Sequence, residues 1–223
     1  MTKLTFTILM ILMSISCNIH QKNTTQNNAY DTLQKERIIP YHEDSSVHHS
    51  RQQLFLRNFG NLMGLPSIFN GVNGVYIRIW LWDSKTKYVI NINSDYVNDE
   101  SEVLAFNTKK IDSSEYVIIH KEWRNLKPKS GWQDFFAAIE KYKITTLQSG
   151  KSAKEQKDFL THMAYIQFEV AQPGQYRFYE YLEPSFYRYV DKGSNNIYEF
   201  LKYYDKEMNV QLYNPAKDLF EKP

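Results

Sequence analysis

The sequence contains only one cysteine among its 223 residues. An internal disulfide framework and a four-cysteine zinc or iron–sulfur site each need several thiols, so both are excluded. The sequence also lacks an excess of one charge, since 27 Lys and Arg face 25 Asp and Glu, a formal net charge of +2. A protein with so small a net charge has no overall electrostatic attraction to a polyanion. We therefore predict no nucleic-acid partner.

Familiar catalytic motifs are also missing. The sequence has no Gly-x-Ser-x-Gly elbow, no Walker loop and no dinucleotide-binding fingerprint. Ser84-x-x-Lys87 matches a motif of penicillin-recognising enzymes in its letters, but it falls in a predicted hairpin turn, whereas that motif needs its Ser at a helix start. The sequence is rich in hydrophobic residues, which make up 42% of it, and its aromatic residues are 17 Tyr, 13 Phe and 4 Trp. This is enough to bury a core.

The apolar run near the start, residues 4–13, is too short to span a bilayer. A cation, Lys3, precedes the run, and two small residues, Ser14 and Ser16, follow it. A short positive start, an apolar stretch and small residues near its end are typical of a secretory signal peptide. We predict that residues 1–16 are such a signal and are removed.

The lone cysteine directly follows the small residues, in Ser14-Ile15-Ser16-Cys17. This arrangement resembles the lipobox of bacterial lipoproteins, in the looser form found in Bacteroidetes. The resemblance implies that Cys17 is diacylated and becomes the mature N-terminus, anchored in the membrane. A thioether at Cys17 would also account for an otherwise unpaired thiol in an oxidising compartment. The alternative is an ordinary secretory signal with a chance cysteine.

The resemblance also bears on the destination. Asn18 stands where enterobacterial lipoproteins carry an inner-membrane retention Asp, and no acidic run resembling a surface-export signal follows. By resemblance we expect the cell envelope, at the outer membrane and facing the periplasm.

Residues 17–49 are polar and lack helical or strand periodicity, so we predict a flexible tether. His42, His48 and His49 lie near Glu43 and Asp44, which is suitable chemistry for zinc or copper. The spacing is not that of a structural metal site. We expect a solvated linker, and no metal or cofactor.

Helical and strand patterns alternate over residues 50–223. Hairpins are expected at 75–92 and 165–181, single strands at 102–107 and 115–123, and helices at 50–63 and 195–205. Two further helices should open at capping boxes that begin at Ser130 and Ser152, and Ser50 begins a third such box. Strands joined by short turns favour an antiparallel sheet. We predict a single α+β domain, mainly antiparallel sheet with helices packed on it.

The C-terminal part carries a second resemblance. The stretches 131–147, 165–171 and 176–184, rich in Tyr and Phe, are similar to a pattern found in uncharacterised Bacteroidetes proteins, many of them lipoproteins. The resemblance implies the same compartment and domain, and it implies no reaction.

Alternation in the first hairpin places Tyr76, Arg78, Trp80 and Trp82 on one face. If this face is exposed, its aromatic rings and guanidinium suit a glycan or peptide ligand. If an amphipathic helix covers it, the same residues form part of a core. The pattern does not decide between these alternatives.

The second hairpin provides another candidate site. With a three-residue turn at 172–174, Glu169 lies opposite Arg177 and shares a face with Tyr179. The three could form a polar pocket in which Glu169 acts as an acid or base. The alternative is a cross-strand ion pair with no chemical role.

These observations predict a lipid-anchored envelope protein, more consistent with a binding or accessory role than with catalysis. Its partner would be a protein or a glycan, reached through the sheet face or the second hairpin. A small envelope hydrolase that uses Glu169, Arg177 and a tyrosine is the alternative.

Overall fold

The described residues form one seven-stranded sheet in the order β1-β7-β6-β2-β3-β4-β5. The computed structural model describes residues 39–40, 47–68, 71–82, 86–95, 98–110, 116–150 and 165–213. The two-residue strand β1 runs parallel to β7, and all other neighbouring pairs are antiparallel. The strands are β1 (Ile39–Pro40), β2 (Val75–Trp82), β3 (Lys87–Ser94), β4 (Asp99–Lys110), β5 (Tyr116–Leu126), β6 (Tyr165–Gln172) and β7 (Gln175–Leu182).

Four helices accompany the sheet within the same residues. They are α1 (Val47–Met63), α2 (Trp132–Lys141), α3 (Pro184–Tyr187) and α4 (Lys192–Met208). In the described part of the chain, no helix is both long and apolar enough to cross a membrane. The predicted class, a single α+β domain built on an antiparallel sheet, is confirmed.

One face of the sheet packs against α2 and α4. Alternation along the strands directs Ile79, Ile90 and Phe168 toward these helices, and all three are fully buried. Phe135 of α2 meets Tyr204 of α4 edge-on, with ring centroids 6.0 Å apart. The main hydrophobic core therefore lies between this face and the two helices.

The opposite face packs against α1. Phe59 of this helix lies over Trp80 and Trp82, with ring centroids 6.3 and 5.7 Å apart. Leu56 and Met63 are buried in the same cluster. The face that carries the aromatic residues of β2 is thus covered, and the sheet has a core on each side.

Several predicted boundaries were wrong. Ser50 does not begin a helix, because α1 starts at Val47, so its first residues fall within the predicted tether, as does β1. Ser130 does not cap α2: Gly131 precedes the helix at φ 89° without a side-chain cap, and the Ser130 amide donates to Glu207 Oε2 at 2.8 Å. The third capping box, at Ser152, lies outside the described residues.

A close approach of two strands requires glycine at position 74. A Cβ added there would lie 1.9 Å from the carbonyl oxygen of Ser94, a backbone atom of the paired strand that cannot move alone. We expect Gly74→Ala to lower the free energy of unfolding by about 3 kcal/mol, measured by urea denaturation. Gly60→Ala in α1 is the matched control, because its Cβ would find no atom closer than 3.7 Å and helical alanine is favoured by about 1 kcal/mol. Equal effects at the two glycines would contradict this account.

The segment after α4 is held by Asp205. Its two carboxylate oxygens accept hydrogen bonds from the Leu212 and Tyr213 amides at 3.1 and 3.2 Å. Burial raises the pKa of Asp205 to about 6, although the two amide bonds oppose the shift. The native state then binds more protons than the unfolded state between about pH 4 and pH 6, so stability falls as pH rises through that window.

We expect this loss to be about 1 kcal/mol, because Asp205 is only partly buried and solvent screens its charge. Urea unfolding across this pH range should show the loss in the unaltered chain and a flatter profile in Asp205→Asn. A carboxyl NMR titration of Asp205 with a midpoint near its ordinary value would contradict the expectation.

Candidate functional site

A buried ion pair lies beneath α1, where β2 and β6 are neighbours. Arg78 Nη1 is 3.8 Å from Glu169 Oε2, and both side chains are at least 95% buried. The register explains the contact, because Arg78 lies directly opposite Glu169 in the β2–β6 ladder. Two residues predicted for different candidate sites are therefore adjacent.

The guanidinium of Arg78 is further held by neutral acceptors. Its Nε donates to Asn91 Oδ1 at 2.9 Å, and its Nη2 donates to the Pro66 carbonyl at 2.7 Å. It also lies over the ring of Tyr76, with Cζ 5.5 Å from the centroid. These contacts hold the guanidinium against the sheet, where it is buried among protein atoms.

The carboxylate of Glu169 is equally engaged. Trp80 Nε1 donates to Oε2 at 2.7 Å, and the Tyr176 hydroxyl donates to Oε1 at 2.9 Å. Burial raises the pKa of Tyr176 well above its ordinary value, and the charge of Glu169 adds to the shift, so this tyrosine stays protonated as a donor. Each carboxylate oxygen thus has a hydrogen-bond donor, which is the arrangement expected of a structural buried charge.

Trp82 continues this network toward α1. Its Nε1 donates to Gln167 Oε1 at 2.8 Å, and Gln167 Nε2 donates to Gln52 Oε1 at 2.9 Å. The polar groups on this face therefore tie the sheet to the helix that covers it. Of the two alternatives for the aromatic face, the structure shows the covered one.

The predicted pairing of Glu169 with Arg177 is wrong. The turn holds two residues, Pro173 and Gly174, so Glu169 lies opposite Phe178 and Arg177 lies opposite Val170. Because the side-chain period of a strand is two, this one-residue difference places Glu169 and Arg177 on opposite faces. No pocket combines them.

Arg177 and Tyr179 instead support the loop that follows α2. Arg177 Nη1 donates to the Thr145 carbonyl at 3.0 Å, and its Nη2 donates to the Leu147 carbonyl at 3.0 Å. The Tyr179 hydroxyl donates to the Ile144 carbonyl at 2.5 Å. Both residues donate hydrogen bonds to backbone carbonyls of this loop, so their role here is structural.

A cleft of about 300 Å³ opens where β4 begins, β5 ends and α2 starts. Ligand pockets begin at about this size. Carboxylates, amides, one lysine and one aromatic ring contribute to its lining. The lining residues are Asn98, Asp99, Glu100, Ser101, Glu102, Asn125, Leu126, Lys127 and Trp132.

Two polar groups of the cleft are already engaged. Asp99 Oδ1 accepts from the Ser94 hydroxyl at 2.8 Å, and the Ser101 hydroxyl shares a hydrogen bond of 2.8 Å with the Tyr204 hydroxyl. The half-buried Trp132 is stacked on Phe136 at a centroid distance of 5.9 Å. The cleft thus offers amide and carboxylate groups beside a supported indole, which suits a neutral ligand rich in hydroxyl groups.

Local sequence pattern does not reveal this cleft. Its residues come from the start of one strand, the end of the next and the first turn of a helix. No spacing in the sequence links these three segments. The pairing of β4 with β5 brings two of them together, through Ser101 with Leu126 and Glu102 with Asn125.

Among the described residues, no group of three or more His, Cys, Asp or Glu side chains could hold a metal ion. The histidines at 42, 48 and 49 and the lipidation candidate Cys17 lie outside the residues whose side chains the structure describes.

Comparisons with protein-family models, with curated proteins and with solved structures find no match for this chain. We therefore infer its function from the residues and their geometry.

Proposed function

We propose that this chain is a lipid-anchored binding protein of the bacterial cell envelope, without catalytic activity, that binds a glycan in the cleft at the ends of β4 and β5. The lipid on Cys17 would hold it at the outer membrane, facing the periplasm. The proposed anchor depends on the lipobox resemblance and on the lone cysteine.

One observation carries the binding proposal. The cleft places amide and carboxylate groups beside the partly exposed indole of Trp132. Hydroxyl groups of a sugar can donate to Asp99 and Glu100 and accept from Asn98 or Asn125, and the sugar ring can lie against Trp132.

The hydrolase alternative has less support. It needed Glu169, Arg177 and a tyrosine in one concave pocket, and these residues lie on opposite faces of the sheet. In the cleft, the Ser101 hydroxyl already shares a hydrogen bond with the Tyr204 hydroxyl, and the lining residues include no histidine that could act as its base.

The anchor can be tested by labelling. A bacterial host that expresses the full chain with radiolabelled palmitate should label the unaltered protein and leave Cys17→Ser unlabelled. Label retained by Cys17→Ser would contradict lipidation at this residue.

Glycan binding can be tested by calorimetry on the full chain with soluble oligosaccharides of N-acetylglucosamine. We expect Trp132→Ala to weaken binding by roughly tenfold, because a stacked aromatic ring contributes about 1 kcal/mol or more. Trp123→Ala is the matched control, since this indole is also partly exposed but lies outside the cleft. Equal affinity in Trp132→Ala and the unaltered chain would place the ligand elsewhere.

A further inference from the structure

Among the residues that the structure describes, strand β5 forms an edge of the sheet with no further strand beside it. It is the last strand in the order and is hydrogen-bonded on one side, to β4. Its residues 119–125 are all exposed, including two large apolar side chains, Ile119 at 61% and Trp123 at 39%. An edge strand with free amides and carbonyls is a template for another strand.

The other edge of the sheet is already occupied in part. Strand β7 pairs with β1 through Gln175 and Tyr176, and farther along the Gly150 amide donates to the Glu180 carbonyl at 3.1 Å. Of the two edges that the described residues form, β5 is therefore the one left for a partner.

The segment available for pairing has clear ends. Asn107 lies opposite His120 and Thr108 opposite Ile118, so Ile119 is an extra residue that bulges from the ladder. At the other end Pro128, which has no amide hydrogen, follows the strand closely. Between these breaks lie residues 120–126, with Trp123 at their centre.

This segment is complementary to itself. Two copies of the chain can extend one antiparallel sheet when a two-fold axis perpendicular to the sheet relates them. Two residues that lie opposite each other across the axis then point to the same face of the sheet. With Trp123 opposite Trp123, Glu122 lies opposite Arg124 on both sides of the axis. A shift of two residues either way would place Glu122 opposite Glu122 or Arg124 opposite Arg124, which is unfavourable.

We propose that two copies of this chain pair antiparallel through residues 120–126 of β5, with Trp123 on the two-fold axis. Charge complementarity favours a second copy as the occupant. Glu122 and Arg124 are 4.0 Å apart within one chain and remain 60% and 46% exposed, so each is free to meet its opposite in the partner. Exposed charges on an edge strand usually prevent it from pairing with another strand. Here the two charges have opposite signs and lie two residues apart, so the strand attracts a second copy of itself.

The register can be tested by disulfide cross-linking of the full chain, with Cys17→Ser in every variant to remove the native thiol. Opposed residues of paired strands lie about 5 Å apart, within the range of a disulfide. Trp123→Cys should therefore cross-link to itself on mild oxidation. Lys121→Cys should not, because two copies of that position would lie roughly 13 Å apart in this register.

A second cross-linking experiment mixes two variants that both keep Trp123, so its result does not depend on how well Trp123→Cys folds. Chains with Lys121→Cys mixed with chains with Asn125→Cys should give a cross-linked heterodimer, since these positions oppose each other. Cross-linking of Lys121→Cys to itself without the mixed product would overturn the proposed register.

Charge substitutions test the attraction by sedimentation velocity. Glu122→Arg alone and Arg124→Glu alone should each weaken dimerisation by roughly tenfold, because two attractive pairs become repulsive. The double variant Glu122→Arg/Arg124→Glu should restore it, and so should mixing the two single variants. A monomeric unaltered chain at all accessible concentrations, or no rescue in the double variant, would overturn the proposal. The pairing segment shares Asn125 and Leu126 with the cleft lining, but Trp132 lies outside the segment, so Trp132→Ala should leave dimerisation unchanged.

Discussion

Glu169→Ala is expected to lower the free energy of unfolding by about 3–5 kcal/mol, because it leaves a buried cation without its counter-charge. Arg78 would keep the Asn91 and Pro66 acceptors but lose the carboxylate 3.8 Å from its Nη1. Trp80 Nε1 and the Tyr176 hydroxyl would also lose their acceptor in a region that water does not reach. Urea denaturation of the full chain would measure the change.

Two further variants separate charge from hydrogen bonding. Glu169→Gln keeps one acceptor oxygen and nearly the same shape, so we expect a smaller loss than in Glu169→Ala. Glu122→Ala removes an exposed carboxylate that is also paired with an arginine, and should cost less than about 1 kcal/mol. If Glu169→Ala were as mild as Glu122→Ala, the pair beneath α1 would not be the structural element described above.

The elements that could be predicted from the sequence are those set by local pattern. The first hairpin, residues 75–94, alternates cleanly, and its strands were placed within two residues of their observed ends. The same alternation correctly assigned Arg78 and Trp80 to one face. Local periodicity decides such features because neighbouring side chains on a strand must point to opposite sides.

The second hairpin shows where that approach fails. Its two strands were correctly located, but Gln172 was assigned to the turn, although it pairs with Gln175. A turn that is one residue shorter changes every cross-strand partner and separates Glu169 from Arg177. The sequence does not contain enough information locally to count the turn residues of Gln-Pro-Gly.

Contacts between distant segments were beyond local pattern altogether. The pairing of β2 with β6 puts Arg78 beside Glu169, and α1 covers both. Which helix covers which face depends on the order of strands in the sheet, and local pattern does not determine that order. The cleft was missed for the same reason, since Trp132 and Glu102 meet only in the folded chain.

Raising the pH above 10 is expected to unfold this protein within about one to two pH units. Among the described residues, the tyrosines whose pKa values are raised furthest, mainly by burial, are five: Tyr165, Tyr176, Tyr179, Tyr204 and Tyr213. Below pH 10 these groups are protonated in both states, so their contribution to stability is fully present. Above pH 10 they lose protons only in the unfolded state, and native stability falls.

The magnitude of this effect follows from linkage. Each tyrosine that ionises only on unfolding lowers stability by about 1.4 kcal/mol per pH unit, so five lower it by about 7 kcal/mol per unit. Absorbance at 295 nm should therefore show some of the 17 tyrosines ionising only together with the loss of far-UV circular dichroism. Tyr179→Phe should make the alkaline fall in stability shallower by about 1.4 kcal/mol per pH unit, since one of the five groups is gone. Complete ionisation near pH 10 with native circular dichroism would contradict the burial of these hydroxyls, and with it the packing of helices on both faces of the sheet.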